Sequence, residues 1–150
     1  MENENLNPLS KLSSLKSEQI LEQTLGSKEV LREIEKLLKE TQLSKGENTD
    51  GAILGVYAKI TQDYYSKITP LPKKPKMAGQ PYNLEWTGGL FDSIDAKYFK
   101  KGMVGIDGAD HPFFDERNEN EILNLNDENV KKIISDVWSK ITKKYLSKLT

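Results

Sequence analysis

Apolar residues recur along this chain in three rhythms, and each predicts a different element. The clearest is the last. Val130, Ile133, Ile134, Val137, Trp138, Ile141, Tyr145, Leu146 and Leu149 keep an i, i+3, i+4, i+7 spacing, which predicts a long amphipathic C-terminal helix starting at Asn126 or Asp127. Asp127 and Glu128 suit its positive end, and Lys143, Lys144 and Lys148 its negative end. A second helix is expected from Ser27, a natural N-cap, through the stripe Val30, Leu31, Ile34, Leu37 and Leu38 to a stop at Gly46. Before it, Leu6, Leu9, Leu12, Leu15, Ile20, Leu21 and Leu25 form a looser pattern, read as an N-terminal arm with a short helix over Ser17 to Leu25.

The rhythm of two carries the reading between Thr87 and Gly108. Leu90, Ile94, Ala96 and Tyr98 fall mostly on one face, Lys100, Lys101 and Gly102 supply a turn, and Met103, Val104 and Ile106 resume the pattern. A two-stranded ribbon is marginal on its own, so it is expected to lie on the helices. Trp138, Ile134 and Ile141 are expected to pack against it and the Val30 to Leu38 helix as the core. Gly88 and Gly89 at its start are expected to serve the backbone, through positive φ or close approach.

Between these elements the pattern is less regular. Ile53, Val56, Tyr57, Ile60, Tyr64 and Ile68 fit a helix face, while Leu54, Val56, Ala58 and Ile60 alternate. Length favours a helix from about Leu54 to Lys67. Thr69 to Tyr82 contains four prolines and reads as an extended loop, the kind of long connection that is usually functional or disordered. The expected fold is therefore α+β: a small antiparallel sheet packed on a long N-terminal helix and an amphipathic C-terminal helix, with an extended proline-rich loop. Residues 1–26 form the arm and 27–150 a single domain.

The 150 residues carry 22 basic and 23 acidic side chains, so no overall field draws nucleic acid or an acidic membrane. Without cysteine there is neither disulfide nor thiolate chemistry, which fits a reducing compartment. The acidic start lacks the pattern of a signal peptide, and no apolar run reaches membrane-spanning length, so a cytosolic origin is the default expectation.

Candidate chemistry is sparse. Asn48, Asp50 and Gly51 resemble the centre of a calcium loop, but registering on Gly51 puts Gly46 at the first ligand position and Tyr57 at the twelfth, where a carboxylate is required; an Asp-Gly turn is the better reading. His111 has no second histidine or cysteine with which to hold a metal. Tyr57, Tyr64 and Tyr65 lack a basic groove that would make them a base-stacking platform, and read as core edge or subunit contact. Glu85, Asp92, Asp95, Asp107, Asp110, Asp115 and Glu116 are numerous enough for an acid/base site, but no nucleophile-base pair accompanies them. No catalytic residue, cofactor or metal is expected.

Three signatures in order resemble the phage virion morphogenesis family, the head-to-tail joining or tail-completion proteins of tailed bacteriophages. The first is a helix leading into Lys45-Gly46, Asp50-Gly51 and a Tyr57-x-x-x-Thr61 segment. The second is Thr87-Gly88-Gly89-Leu90-Phe91-Asp92-Ser93-Ile94, similar to the family's Ser/Thr-Gly-x-Leu-x-x-Ser-Ile. The third is Pro112-Phe113-Phe114 followed by Ile122-Leu123-Asn124-Leu125-Asn126-Asp127-Glu128-Asn129 before the closing helix. Asn124 stands where the family usually has Gly, and Arg117 is the nearest match to an arginine of its aromatic turn.

The resemblance covers about Glu29 to Leu149. It implies a non-enzymatic virion subunit in the neck or tail, assembled in the host cytoplasm as a homo-oligomeric ring of six or twelve copies. The implied partners are other neck, portal or tail proteins, with neither a membrane nor sequence-specific nucleic acid. The alternative from the sequence is a phage or mobile-element adaptor binding a host protein through the proline-rich loop. Leu9, Leu12, Leu71, Pro72, Lys73, Lys74, Pro75 and Lys76 are the candidate subunit contacts, and Gly88 and Gly89 the structural turn.

Overall fold

The computed structural model describes residues 17–65, 67, 74–85, 88–100, 102–108 and 118–147, without the side chains of Ser17, Glu18, Leu21 and Tyr145. In chain order its elements are α1 (Ser17–Leu25), α2 (Lys28–Lys36), α3 (Lys59–Tyr65), α4 (Gly89–Ser93), β1 (Asp95–Tyr98), β2 (Val104–Asp107) and α5 (Asp127–Leu146). A 3-10 turn, Glu119–Glu121, precedes α5. The architecture is α+β, with the antiparallel β1-β2 pair lying against α2 and the long C-terminal helix beside it.

Ser27 caps α2 by accepting from the Val30 amide at 3.3 Å. Past Lys36 the helix widens into a π-helical stretch, Leu37–Gln42, and then tightens into a 3-10 turn, Leu43–Lys45. A widened turn places residues five apart on one face, so Leu37 with Gln42 and Leu38 with Leu43 are all buried. Gly46 closes the helix in the left-handed conformation, φ 75°, with the Glu47 amide bonded back to the Gln42 carbonyl at 3.2 Å. The Tyr82 backbone crosses directly over this glycine. A Cβ there would lie 2.2 Å from the Tyr82 carbonyl oxygen, so Gly46→Ala is expected to cost more than about 2 kcal/mol, read as a lowered urea midpoint.

The hairpin is shorter than its sequence pattern. Leu90 belongs to the helical turn α4, which Gly88 opens at φ 94°, and strand pairing starts only at Asp95. Tyr98 faces Val104 and Asp95 faces Asp107, with Gly102 at φ 78° in the turn. The helix expected from Leu54 begins at Lys59. Upstream of it the backbone is drawn into bonds with other segments of the chain: Leu54 N–H to the Gly46 carbonyl at 2.7 Å, Tyr57 N–H to the Gln80 carbonyl at 2.9 Å, and Tyr82 N–H to the Gly55 carbonyl at 3.0 Å. Groups bonded in this way are not free to build a helix.

Two apolar clusters fill the interior. Leu38, Leu43, Leu90, Ile94, Ile122 and Leu123 form one, and Val30, Ile34, Leu37, Ala96, Ile133 and Val137 the other. The expected core of Ile134, Trp138 and Ile141 is corrected here: Ile134 is 50% and Trp138 64% exposed, and Ile141 is only partly buried, while Ile133 and Val137 point inward. The first turn of α5 sets this rotation. Asn126 caps it, its side chain accepting from the Asn129 amide at 3.0 Å, and both asparagines are buried. From Asn129, the i+4 and i+8 positions are Ile133 and Val137.

Candidate assembly surfaces

The part of the proline-rich segment within the described residues folds back instead of projecting as an arm. Residues 77–80 make a turn, with Gln80 N–H to Met77 O at 3.1 Å, and Pro81 then lies opposite Val56 in an antiparallel bridge. Lys76, one of the candidate contacts, is only 4% exposed, which corrects its place in an outward arm. Its ammonium donates to the Asn83 side-chain oxygen and, at 2.8 Å, to the Glu85 carbonyl, and lies 5.3 Å from the centre of the Tyr57 ring. Lys74 and Pro75 are exposed, with Lys74 paired to Glu85 at 2.9 Å. Leu9, Leu12, Leu71, Pro72 and Lys73 lie outside the described residues, as do His111 and the aromatic turn.

Asn83 organises this clasp. Its side-chain oxygen accepts from Tyr57 Oη at 3.1 Å, from Lys76 and from the Glu85 amide at 3.3 Å, while its Nδ2 donates to the Pro75 carbonyl at 3.3 Å. Tyr57 and Tyr82 meet edge to face at 4.9 Å. The ring of Tyr82 fills the place where a Cβ on Gly55 would sit, 2.5 Å from its nearest atom. Leu84, at φ 50°, is the only non-glycine residue with positive φ among the described residues, and stands between Asn83 and Glu85. Burial raises the Tyr57 phenol above its ordinary range, opposed mainly by its bond with the Asn83 backbone.

Burial also lowers the Lys76 ammonium to about 8, offset in part by Glu85 and reinforced by Lys74. Below that pH Lys76 is charged whether the chain is folded or not. Between pH 8 and 10 the unfolded chain holds a proton that the folded one has released, so this group makes stability rise with pH. The urea midpoint of the parent is expected to rise relative to that of Lys76→Met between pH 7.5 and 10. Parallel profiles for the two would contradict the buried ammonium.

One set of exposed apolar side chains comes from the stretch around the clasp in sequence: Ile53, Val56 opposite Pro81, Ile60 and Tyr64 on α3, and Met77. A second set runs along α5, where Val130, Ile134 and Trp138 are spaced by four and form an outward stripe. At its Val130 end the stripe borders a cleft of about 300 Å³ floored by Val104, Ile106 and Leu125. Exposed apolar side chains mark interaction surfaces where they gather into contiguous patches.

The candidate acid/base residues are dispersed. Asp95 and Asp107 share Lys97, at 3.4 and 3.0 Å, in an exposed triad that holds the Asp107 carboxyl below its ordinary range through its hydrogen bond with Lys97. Glu85 is committed to Lys74, and Asp92 lies on α4. Asp110, Asp115 and Glu116 lie outside the described residues. Among the described residues no group of three or more His, Asp, Glu or Cys is placed to hold a metal ion, and no helix is long and apolar enough to cross a membrane. What the sequence pattern missed is Asn83 and Gln42, because each works through partners distant along the chain. No protein-family model matches this sequence, and neither a curated protein nor a solved structure matches it.

Proposed function

We propose that this chain is a structural, non-enzymatic virion subunit of a tailed bacteriophage, a head-to-tail connector or tail-completion protein that forms a ring of six or twelve copies in the neck. Its partners are further copies of itself and adjoining portal, neck or tail proteins, and it acts in the virion after assembly in the host cytoplasm. The ordered resemblance of the Gly46 to Thr61, Thr87 to Ile94 and Pro112 to Asn129 segments motivates the reading. The observation that carries it is the presence of two separate sets of exposed apolar side chains, one of Ile53, Val56, Ile60, Tyr64 and Met77 and one of Val130, Ile134 and Trp138 along α5. A closed ring repeats a head-to-tail contact, which requires two unlike surfaces per copy, whereas a two-fold dimer needs one.

The test is a phage from which this chain has been deleted. Lysates are expected to contain DNA-filled heads and finished tails that remain unjoined, restored to joined virions when the chain is supplied from a plasmid. Normal joined virions without it would overturn the assignment.

A further inference from the structure

The two edges of the β1-β2 pair differ in what meets them. Phe99 N–H bonds to the Met103 carbonyl at 2.9 Å, which fixes the phase of the ladder: Lys97 with Gly105 and Asp95 with Asp107 exchange hydrogen bonds, while Ala96, Tyr98, Val104 and Ile106 turn their amides and carbonyls outward. On the β1 side the Ala96 amide is taken by Glu35 Oε1 at 3.0 Å. On the β2 side, the outward backbone groups of Val104 and Ile106 have no hydrogen-bond partner among the described residues.

Two clefts flank this edge and meet at Ile106 and Asn124. One, of about 300 Å³, is apolar, with Leu125, Val130 and Ile134 in its wall. The other, of about 360 Å³, is lined by Asp107 and Glu119 together with Lys97. Lys97 answers both Asp95 and Asp107, which leaves acidic groups in excess on that side.

We propose that the outer edge of β2 docks an extended polypeptide strand of a partner protein, one whose side chains alternate between apolar and basic. Hydrogen bonds to Val104 and Ile106 recognise an extended backbone and no other ligand shape. In an added strand, side chains beside Val104 and Ile106 turn toward the apolar cleft, and those beside Gly105 and Asp107 turn toward the acidic one. The third strand also completes a sheet that is marginal with two. Val130 and Ile134 belong both to this cleft and to the stripe assigned above to the ring, so a docked strand and a neighbouring copy meet the chain at these two residues.

The probe is an end-capped peptide, Lys-Val-Lys-Ile-Lys-Val-Lys, added to the full chain and followed by amide exchange in NMR. Exchange at Val104 and Ile106 is expected to slow at least about tenfold at saturation. A peptide N-methylated along its bonding edge is expected to give no protection, and one with Glu for Lys to bind at least about tenfold more weakly, as like charges facing Asp107 and Glu119 require. Val104→Pro removes an outward amide without breaking the ladder and is expected to abolish protection at Ile106. If that variant fails to fold, the pair Asp107→Asn with Glu119→Gln is expected to weaken binding several-fold while the fold persists. Equal binding of the methylated and unmethylated peptides would overturn the proposal, as would slow exchange at Val104 and Ile106 in the free chain. Protection that grows with protein concentration alone would assign the edge to a second copy and overturn it equally.

Discussion

Gln42→Leu is expected to lower the stability of the folded chain by about 3 to 5 kcal/mol, because it strips hydrogen bonds from the buried Asn126 and Asn129 and from two further carbonyls while filling nearly the same volume. The side chain is fully buried, and both of its ends are in use. Nε2 donates to the carbonyls of Asn48 at 3.2 Å and Asn124 at 2.8 Å. Oε1 accepts from the Asn126 amide at 2.9 Å and from Asn129 Nδ2 at 3.4 Å. One residue thus joins the end of the α2 helix, the turn at Asn48 and the start of α5. Urea unfolding of the purified variant measures the loss, and a change below about 1 kcal/mol would mean that these bonds are replaceable by water.

Trp138→Lys is expected to do the opposite: to leave stability within about 0.5 kcal/mol of the parent, yet abolish incorporation into the neck. The indole is 64% exposed, so little apolar surface returns to water when it is removed, whereas a lysine in an apolar contact between copies has no partner for its charge. Ile133→Ala, one turn away on the buried face, supplies the contrast. It is expected to cost about 2 to 4 kcal/mol, since it opens a cavity beside Ala96 and Val137. Thermal or urea unfolding separates the two variants, and incorporation is read by blotting purified virions. A Trp138→Lys chain that unfolds as easily as Ile133→Ala would return Trp138 to the core.

The contrast between Trp138 and Ile133 also shows how far the sequence could be read. The helical period of α5 was plain, but it contains two adjoining apolar stripes, Ile133 with Val137 and Val130 with Ile134 and Trp138. Periodicity cannot rank two neighbouring stripes. What ranks them is the buried asparagine pair, held by Gln42 from 84 residues away in the case of Asn126, a polar contact that no hydrophobic pattern records. The helix stop at Gly46 and the cap at Ser27 were legible because local geometry alone demands them. The start of α3 was not, since Gly55 and Tyr57 bond to Tyr82 and Gln80 across a long loop.

The candidate sites divide in the same way. Lys74, Pro75 and Lys76 look alike in sequence, as residues of one basic, proline-rich loop. Only the chain's return to Tyr57 and Asn83 turns Lys76 inward and leaves the other two outside. The outward direction of the Val104 and Ile106 backbone groups is likewise a property of ladder phase, settled by the Phe99 to Met103 bond, and is invisible in the alternation that predicted the hairpin.

Ring assembly is tested by imaging the assembled virion at a resolution that traces this chain. The expected result is a closed ring of six or twelve copies around the tail axis between portal and tail, with the Val130, Ile134 and Trp138 stripe of each copy covered by Ile53, Val56, Ile60, Tyr64 and Met77 of the next. Single copies of the chain, or copies in the capsid shell or tail fibres without rotational symmetry about that axis, would contradict it.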